Sequence, residues 1–140
     1  KALLAVDPTH ADAFRANHER FQADLDALDT RLRALFASDR GLSFLVFHPA
    51  WGYLAHDYGL TQIPVEVQGK EPKPAQLQAL IQTARDKGAK VVFVQPQFST
   101  KSAEAIAQAI GGRVLSADPL AEDWAASLEA QAKAFAEALR

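Results

Sequence analysis

Two residue types are missing altogether from this 140-residue chain, cysteine and methionine. Without cysteine there is no disulfide, no zinc–thiolate site and no thiol nucleophile, so any metal site must be built from nitrogen and oxygen donors. Its absence does not identify a compartment. The opening residues show no signal-peptide pattern. With no methionine at the start, the chain is expected to begin after processing or at a chosen boundary within a longer product. A basic excess is lacking too. Lys and Arg number 15 against 17 Asp and Glu, a formal net charge of -2, which argues against a nucleic-acid or anionic-membrane surface. No apolar run approaches the roughly 18 residues of a membrane span. There is no internal repeat and no low-complexity tract.

Several chemistries are excluded by missing motifs. No G-x-G-x-x-G follows a strand pattern, and Gly111-Gly112 comes before a strand rather than after one. There is no P-loop and no G-x-S-x-G. Ser99, in QPQFSTKSAE, reads as a helix cap with Ser102 in the first turn. The segment GKEPKP, residues 69–74, reads as a solvated loop rather than a phosphate cradle.

What is present is an ordinary globular composition, 49% hydrophobic and 23% charged, enough for one domain with a real core. Residues 1–6 read as the tail of a helix, and Asp7-Pro8 as a cap with proline at the first helical position. From there to about Phe36, the residues Phe14, Phe21, Leu25, Leu28, Leu32 and Leu35 form one stripe on a long helix. The chain then alternates. Residues 42–47 read as a strand, 51–58 as a short proline-initiated helix, and 61–67 as an edge or irregular strand broken by Pro64. Residues 75–87 read as a helix, 91–94 as a strand, 100–110 as a helix, 113–116 as a strand and 122–139 as a final helix. The fold class is therefore α/β, a parallel four-stranded sheet flanked by helices and preceded by a long helix. Residues 1–37 are expected to be the linking helix and 38–140 the α/β lobe.

The richest stretch is GLSFLVFHPAWGYLAHDYGL, residues 41–60, an apolar run that stops at a single histidine, His48. Two other strands end comparably, at Gln95-Pro96 and at Asp118-Pro119. In an open α/β sheet, ligands bind beyond the carboxyl ends of the strands, so an imidazole, an amide and a carboxylate are expected at one edge. His plus Asp suits zinc, manganese or iron, and also makes two members of a catalytic triad. Taken singly, His48 reads equally well as a turn histidine, Asp118 as a cap or turn, and Gln95 as a structural hydrogen-bonder. His10 and His18 read as solvated, and His56 as solvent-facing or capping.

Read together, these motifs resemble a known family. The chain is similar to the C-terminal lobe of periplasmic zinc- and manganese-binding proteins of ABC metal importers (cluster A-I, zinc-uptake and TroA-like). DPTHADAFRANHERFQADLDALD resembles the start of their interlobe helix. FHPAWGYLAHDYGL, VVFVQPQFSTKSAEAIA and SADPLAEDW resemble three further segments, in the same order. The resemblance implies His48 and Asp118 as metal ligands, with Gln95 acting behind them and Trp51, Tyr53 and Tyr58 as core residues packing the helix. It favours zinc over manganese or iron, because manganese-type members carry glutamate where His48 stands. It implies a divalent metal ion and an ABC transporter membrane subunit as partners, in a periplasmic or extracytoplasmic setting, associated with the membrane through the importer. It also implies a fragment, since the family's first lobe has no counterpart here. The site is then expected to be open, weak or empty.

A binding module without catalytic activity is the expected function. The alternatives are a metal-dependent hydrolase or chelatase-like enzyme using His48 and Asp118, and a metal-free interaction lobe. The apolar stripe of the long helix further suggests self-association.

Overall fold

A computed structural model describes residues 1–98 and 100–139. The chain divides into two compact units, residues 1–34 and 35–140. The first opens with a short helix, α1 (Ala2–Val6), and a single 3-10 turn, Pro8–His10, that runs into α2 (Ala11–Leu35). Pro8 starts the turn as expected, but the Asp7 side chain does not cap the backbone. It accepts instead from the Thr9 hydroxyl and contacts His10 Nδ1 at 2.7 Å. These two bonds, Thr9 first, hold the Asp7 carboxyl below its usual range. His10 is thus exposed but paired, whereas the sequence suggested solvent alone. Arg15–Asp12 and Arg33–Asp29 lie one turn apart on α2, the spacing that supports an exposed helix. Along the stripe, Phe21 and Leu25 are exposed, while Leu28 and Leu32 are buried.

The second unit is a four-stranded, wholly parallel sheet: β1 (Ser43–Val46), β2 (Thr61–Pro64), β3 (Val91–Val94) and β4 (Arg113–Ser116), in the order β2-β1-β3-β4. The connections are α3 (Gly52–Tyr58), α4 (Pro74–Asp86) and α5 (Lys101–Ile110), and α6 (Trp124–Leu139) closes the chain. β1 and β3 are central and buried on both faces, which is why they read as near-continuous apolar runs, Ser43 being the one polar position. One face packs Leu45, Phe47, Val92 and Val94 with Ala84, Ala103, Ile106 and Ala107. On the other, Phe44, Phe93 and Trp51 surround Phe135 of α6, and the Phe93 and Phe135 rings stack at 3.6 Å.

Pro64 does lie on an edge strand. The Thr61 and Val65 amides donate inward, to Leu42 and Val46. Alternate residues point the other way, so the Pro64 nitrogen faces the open edge, where no donor is needed.

Two local expectations change. The short helix does not start at Pro49. That proline sits in a turn closed by the Ala50 amide donating to the His48 carbonyl at 2.7 Å, and α3 begins at Gly52. Tyr53 is not core: it is 89% exposed, whereas Trp51 is buried and Tyr58 half-buried against Phe36. The cap proposed at Ser99 lies outside the described residues; Thr100 precedes α5, and the Ser102 hydroxyl donates to Glu71.

One glycine is fixed by close approach. A Cβ on Gly112 would meet the Lys90 carbonyl oxygen at 2.4 Å, in the turn where the Arg113 amide donates to that same oxygen. Only glycine lets α5 end so close to the start of β3.

Candidate metal centre

Parallel pairing carries the chemistry to one edge. His48 follows β1 by two residues, Asp118 follows β4 by two, and Gln95 directly follows β3. Because β3 intervenes between β1 and β4, the two outer positions are separated by two strand spacings, roughly 10 Å at the backbone. The gap is crossed by the turn after β3. Phe98 stacks on the His48 ring, with centroids 5.5 Å apart and planes 17° from parallel. Its neighbour Gln97 donates from Nε2 to Asp118 Oδ1 at 3.4 Å. Adjacent side chains of one turn thus touch both sequence-predicted ligands.

Gln95 is 2% exposed and grips the His48 backbone. Its Nε2 donates to the His48 carbonyl at 2.8 Å, and its Oε1 accepts from the His48 amide at 3.4 Å. The amide therefore fixes where the imidazole leaves the chain, without bonding the ring. The side chain of His48 is 48% exposed. Its Nδ1 lies 2.8 Å from Glu66 Oε1. That contact pairs the imidazole with a carboxylate from beyond the neighbouring strand and leaves Nε2 as the other ring nitrogen.

Asp118 is partly buried and forms an Asx turn, its Oδ1 accepting from the Leu120 amide at 3.0 Å. Gln131 of α6 donates to its carbonyl at 2.6 Å. The turn reading of Asp118 is satisfied, and it leaves the carboxylate at the sheet edge. Asp118 also borders a cleft of about 390 Å³ whose walls include Trp51, Tyr58 and Trp124.

Among the described residues no three His, Asp or Glu side chains are grouped to hold an ion by themselves. His48 and Asp118 alone give a site with fewer than the four ligands of a closed zinc centre. Within the same unit, His56 does not pair with either residue in the structure. His56 is exposed and lies 3.0 Å from Asp57, and His18 is exposed.

Sequence reasoning missed Glu66. It follows β2 by two residues, as His48 follows β1, and the two strands pair in register from Ser43↔Thr61 to Val46↔Pro64. Applying the strand-end rule to the proline-broken edge strand would have found it.

The comparisons agree with this architecture. The family model described as zinc-uptake complex component A, periplasmic, matches residues 1–138. The high-affinity zinc uptake system protein ZnuA of Bacillus subtilis is 31% identical over 113 residues, covering 79% of this chain and 35% of that protein. The zinc-binding protein AdcA of Streptococcus pyogenes serotype M3 is 30% identical over 121 residues, covering 85% of this chain and 24% of that one. A crystal structure of ZnuA superposes with a TM-score of 0.94 at 44% identity, covering 99% of this chain and 55% of the solved one. A zinc-bound ZnuA deletion mutant gives 0.89, also at 44% identity, over 99% of this chain and 53% of that one. The chain thus spans about half or less of the length of these relatives. With a match along nearly its whole length and one fold in common, the chain belongs to the family of the periplasmic zinc-uptake complex component A.

Proposed function

We propose that this chain is the metal-binding C-terminal lobe of a substrate-binding protein, together with its linking helix. Residues 1–37 serve as the link and 38–140 as the lobe. The protein captures a divalent transition metal, zinc in preference to manganese or iron, and delivers it to the membrane subunit of an ABC importer. It works outside the cytoplasm, held at the membrane through that importer. It is a carrier and not an enzyme: His48 and Asp118 bind the ion, and Gln95 supports His48 from behind. The observation that supports this reading most is the turn after β3, which contacts the His48 ring through Phe98 and the Asp118 carboxylate through Gln97.

The chemistry follows from the donors. An imidazole is a softer ligand than carboxylate and suits zinc, whereas manganese prefers oxygen. The ligand is the neutral ring, because the ion needs a free lone pair on nitrogen. With two protein ligands the ion keeps most of its water, and affinity is modest. Calorimetric titration of the 140-residue chain is expected to show one zinc site, with manganese binding far more weakly. A chain extended to the length of its relatives is expected to bind zinc tighter by orders of magnitude. Equal affinity for the two metals would remove the zinc assignment, and no zinc binding by the longer protein would remove the function. Turnover of a model ester would instead favour a hydrolase.

The same reading includes self-association through the long helix, whose apolar stripe is exposed at Leu25. Light scattering should give a mass that rises with concentration, and Leu25→Lys should suppress the rise. A strictly monomeric mass at high concentration would exclude it.

A further inference from the structure

We propose that Glu66 is a positioning residue for the metal site: it holds His48 in the tautomer that presents Nε2 to the ion. The inference rests on the reading of His48 as a metal ligand and adds to it a named partner on another strand. Three observations carry it. Glu66 Oε1 lies 2.8 Å from His48 Nδ1, inside hydrogen-bond range. The Glu66 side chain is only 9% exposed, so the bond is shielded from competing water on the carboxylate side, while the imidazole is 48% exposed. The ring plane is independently set by the stacked Phe98, at 5.5 Å and 17°.

The logic is one of donor count. A neutral imidazole has one N–H and one lone pair, and two tautomers compete for which nitrogen carries which. A carboxylate oxygen accepts, so the short contact is satisfied when Nδ1 is the donor. The lone pair is then confined to Nε2, the nitrogen farther from the Cβ. A carboxylate behind a metal-binding histidine also makes the ring a better donor to the ion. Loss of such a partner typically costs 10–100-fold in metal affinity. The register explains why this residue can do it. β1 and β2 run parallel and in step, so the second residue beyond each strand meets its counterpart. The Glu66 amide is tied to the same edge, donating to the Phe47 carbonyl at 3.2 Å.

The test uses the metal-free 140-residue chain and needs no bound ion for its first readout. Imidazole nitrogen-15 spectra at one mildly alkaline pH report which nitrogen of His48 is protonated. Wild type is expected to show Nδ1–H. Glu66→Ala is expected to lose that preference and to weaken zinc binding by about 10–100-fold. Glu66→Gln keeps an acceptor oxygen in the same volume and is expected to restore the tautomer and much of the affinity. His18, exposed on α2, is the internal control. A wild-type His48 protonated on Nε2 would overturn the proposal without any variant, even if Glu66→Ala failed to fold. So would a Glu66→Ala chain with unchanged tautomer and affinity. His48→Ala separates this from the underlying reading. If zinc binding survives that change, the ligand assignment itself fails. If it is lost while Glu66→Ala is silent, only the role of Glu66 falls.

Discussion

His48→Ala is expected to lower zinc affinity by at least about a hundredfold, roughly 2.8 kcal/mol, with little change in stability. The argument is one of ligand scarcity. Among the described residues no three His, Asp or Glu side chains are grouped to hold an ion, so a site that loses one of its two proposed ligands has too few left. His48 should matter more, because imidazole is the donor that distinguishes a zinc site from general carboxylate attraction. Its side chain is about half exposed, so alanine leaves no buried void. Asp118 requires a different substitution. Its Oδ1 accepts from the Leu120 amide, and alanine would loosen that turn as well as remove the charge. Asp118→Asn keeps an acceptor for the turn and loses only the charge. It is expected to weaken zinc binding by about tenfold, near 1.4 kcal/mol, while the unfolding midpoint stays close to that of wild type. Zinc titrations of the three chains, paired with urea unfolding, check both statements. Equal zinc affinity in wild type and His48→Ala would reduce His48 to a turn residue and end the metal reading of this lobe.

Phe135→Ala is expected to destabilise the chain by about 3–5 kcal/mol, a large share of the roughly 5–15 kcal/mol that holds a domain together. Phe135 is 1% exposed and sits where α6 meets the sheet. Its ring stacks on Phe93 at 3.6 Å and packs against Phe44 at 5.3 Å and Trp51 at 5.2 Å. Removing it opens a cavity among aromatic rings too large to shift into the space, so both burial and packing are lost. Phe135→Leu, which keeps most of the volume, should cost much less. Urea denaturation reads the difference as a lower midpoint with an unchanged slope. A Phe135→Ala chain within about 1 kcal/mol of wild type would mean that α6 is not anchored through this ring.

Much of the fold is legible in the residue order because the signals are local. The run VVFV is apolar at every position and SFLV at all but Ser43, and only a strand covered on both faces tolerates that. Gly59, in the left-handed conformation at φ 73°, and Gly111 at φ 67° mark the ends of α3 and α5. Pro64 announces an edge strand, and the structure puts it there. The misreadings are also local in origin. Pro49 carries a signal for helix start as much as for a turn, and the choice fell to the turn closed by Ala50 and His48. Tyr53 belongs by type with Trp51, but Gly52, Tyr53 and Leu54 fall on different sides of a two-turn helix, and only some of those sides can face the sheet.

By itself, then, the sequence determined the class of the fold, the order of its elements and the kind of chemistry open to it. Alternating apolar runs specify a parallel α/β sheet, and the lack of cysteine confines metal binding to nitrogen and oxygen donors. It also determined that His48, Gln95 and Asp118 stand at strand ends, because each follows its own apolar run. The tertiary structure decided which of these groups meet. The strand order β2-β1-β3-β4 sets β3 between the strands that lead to His48 and Asp118 and makes its turn the bridge from one to the other. It sets Glu66, 18 residues from His48 in the chain, against the imidazole. The physical reason is that a strand's burial is written in its own side chains. Its neighbour and register come from packing both faces of the whole sheet at once, and no single segment carries that information.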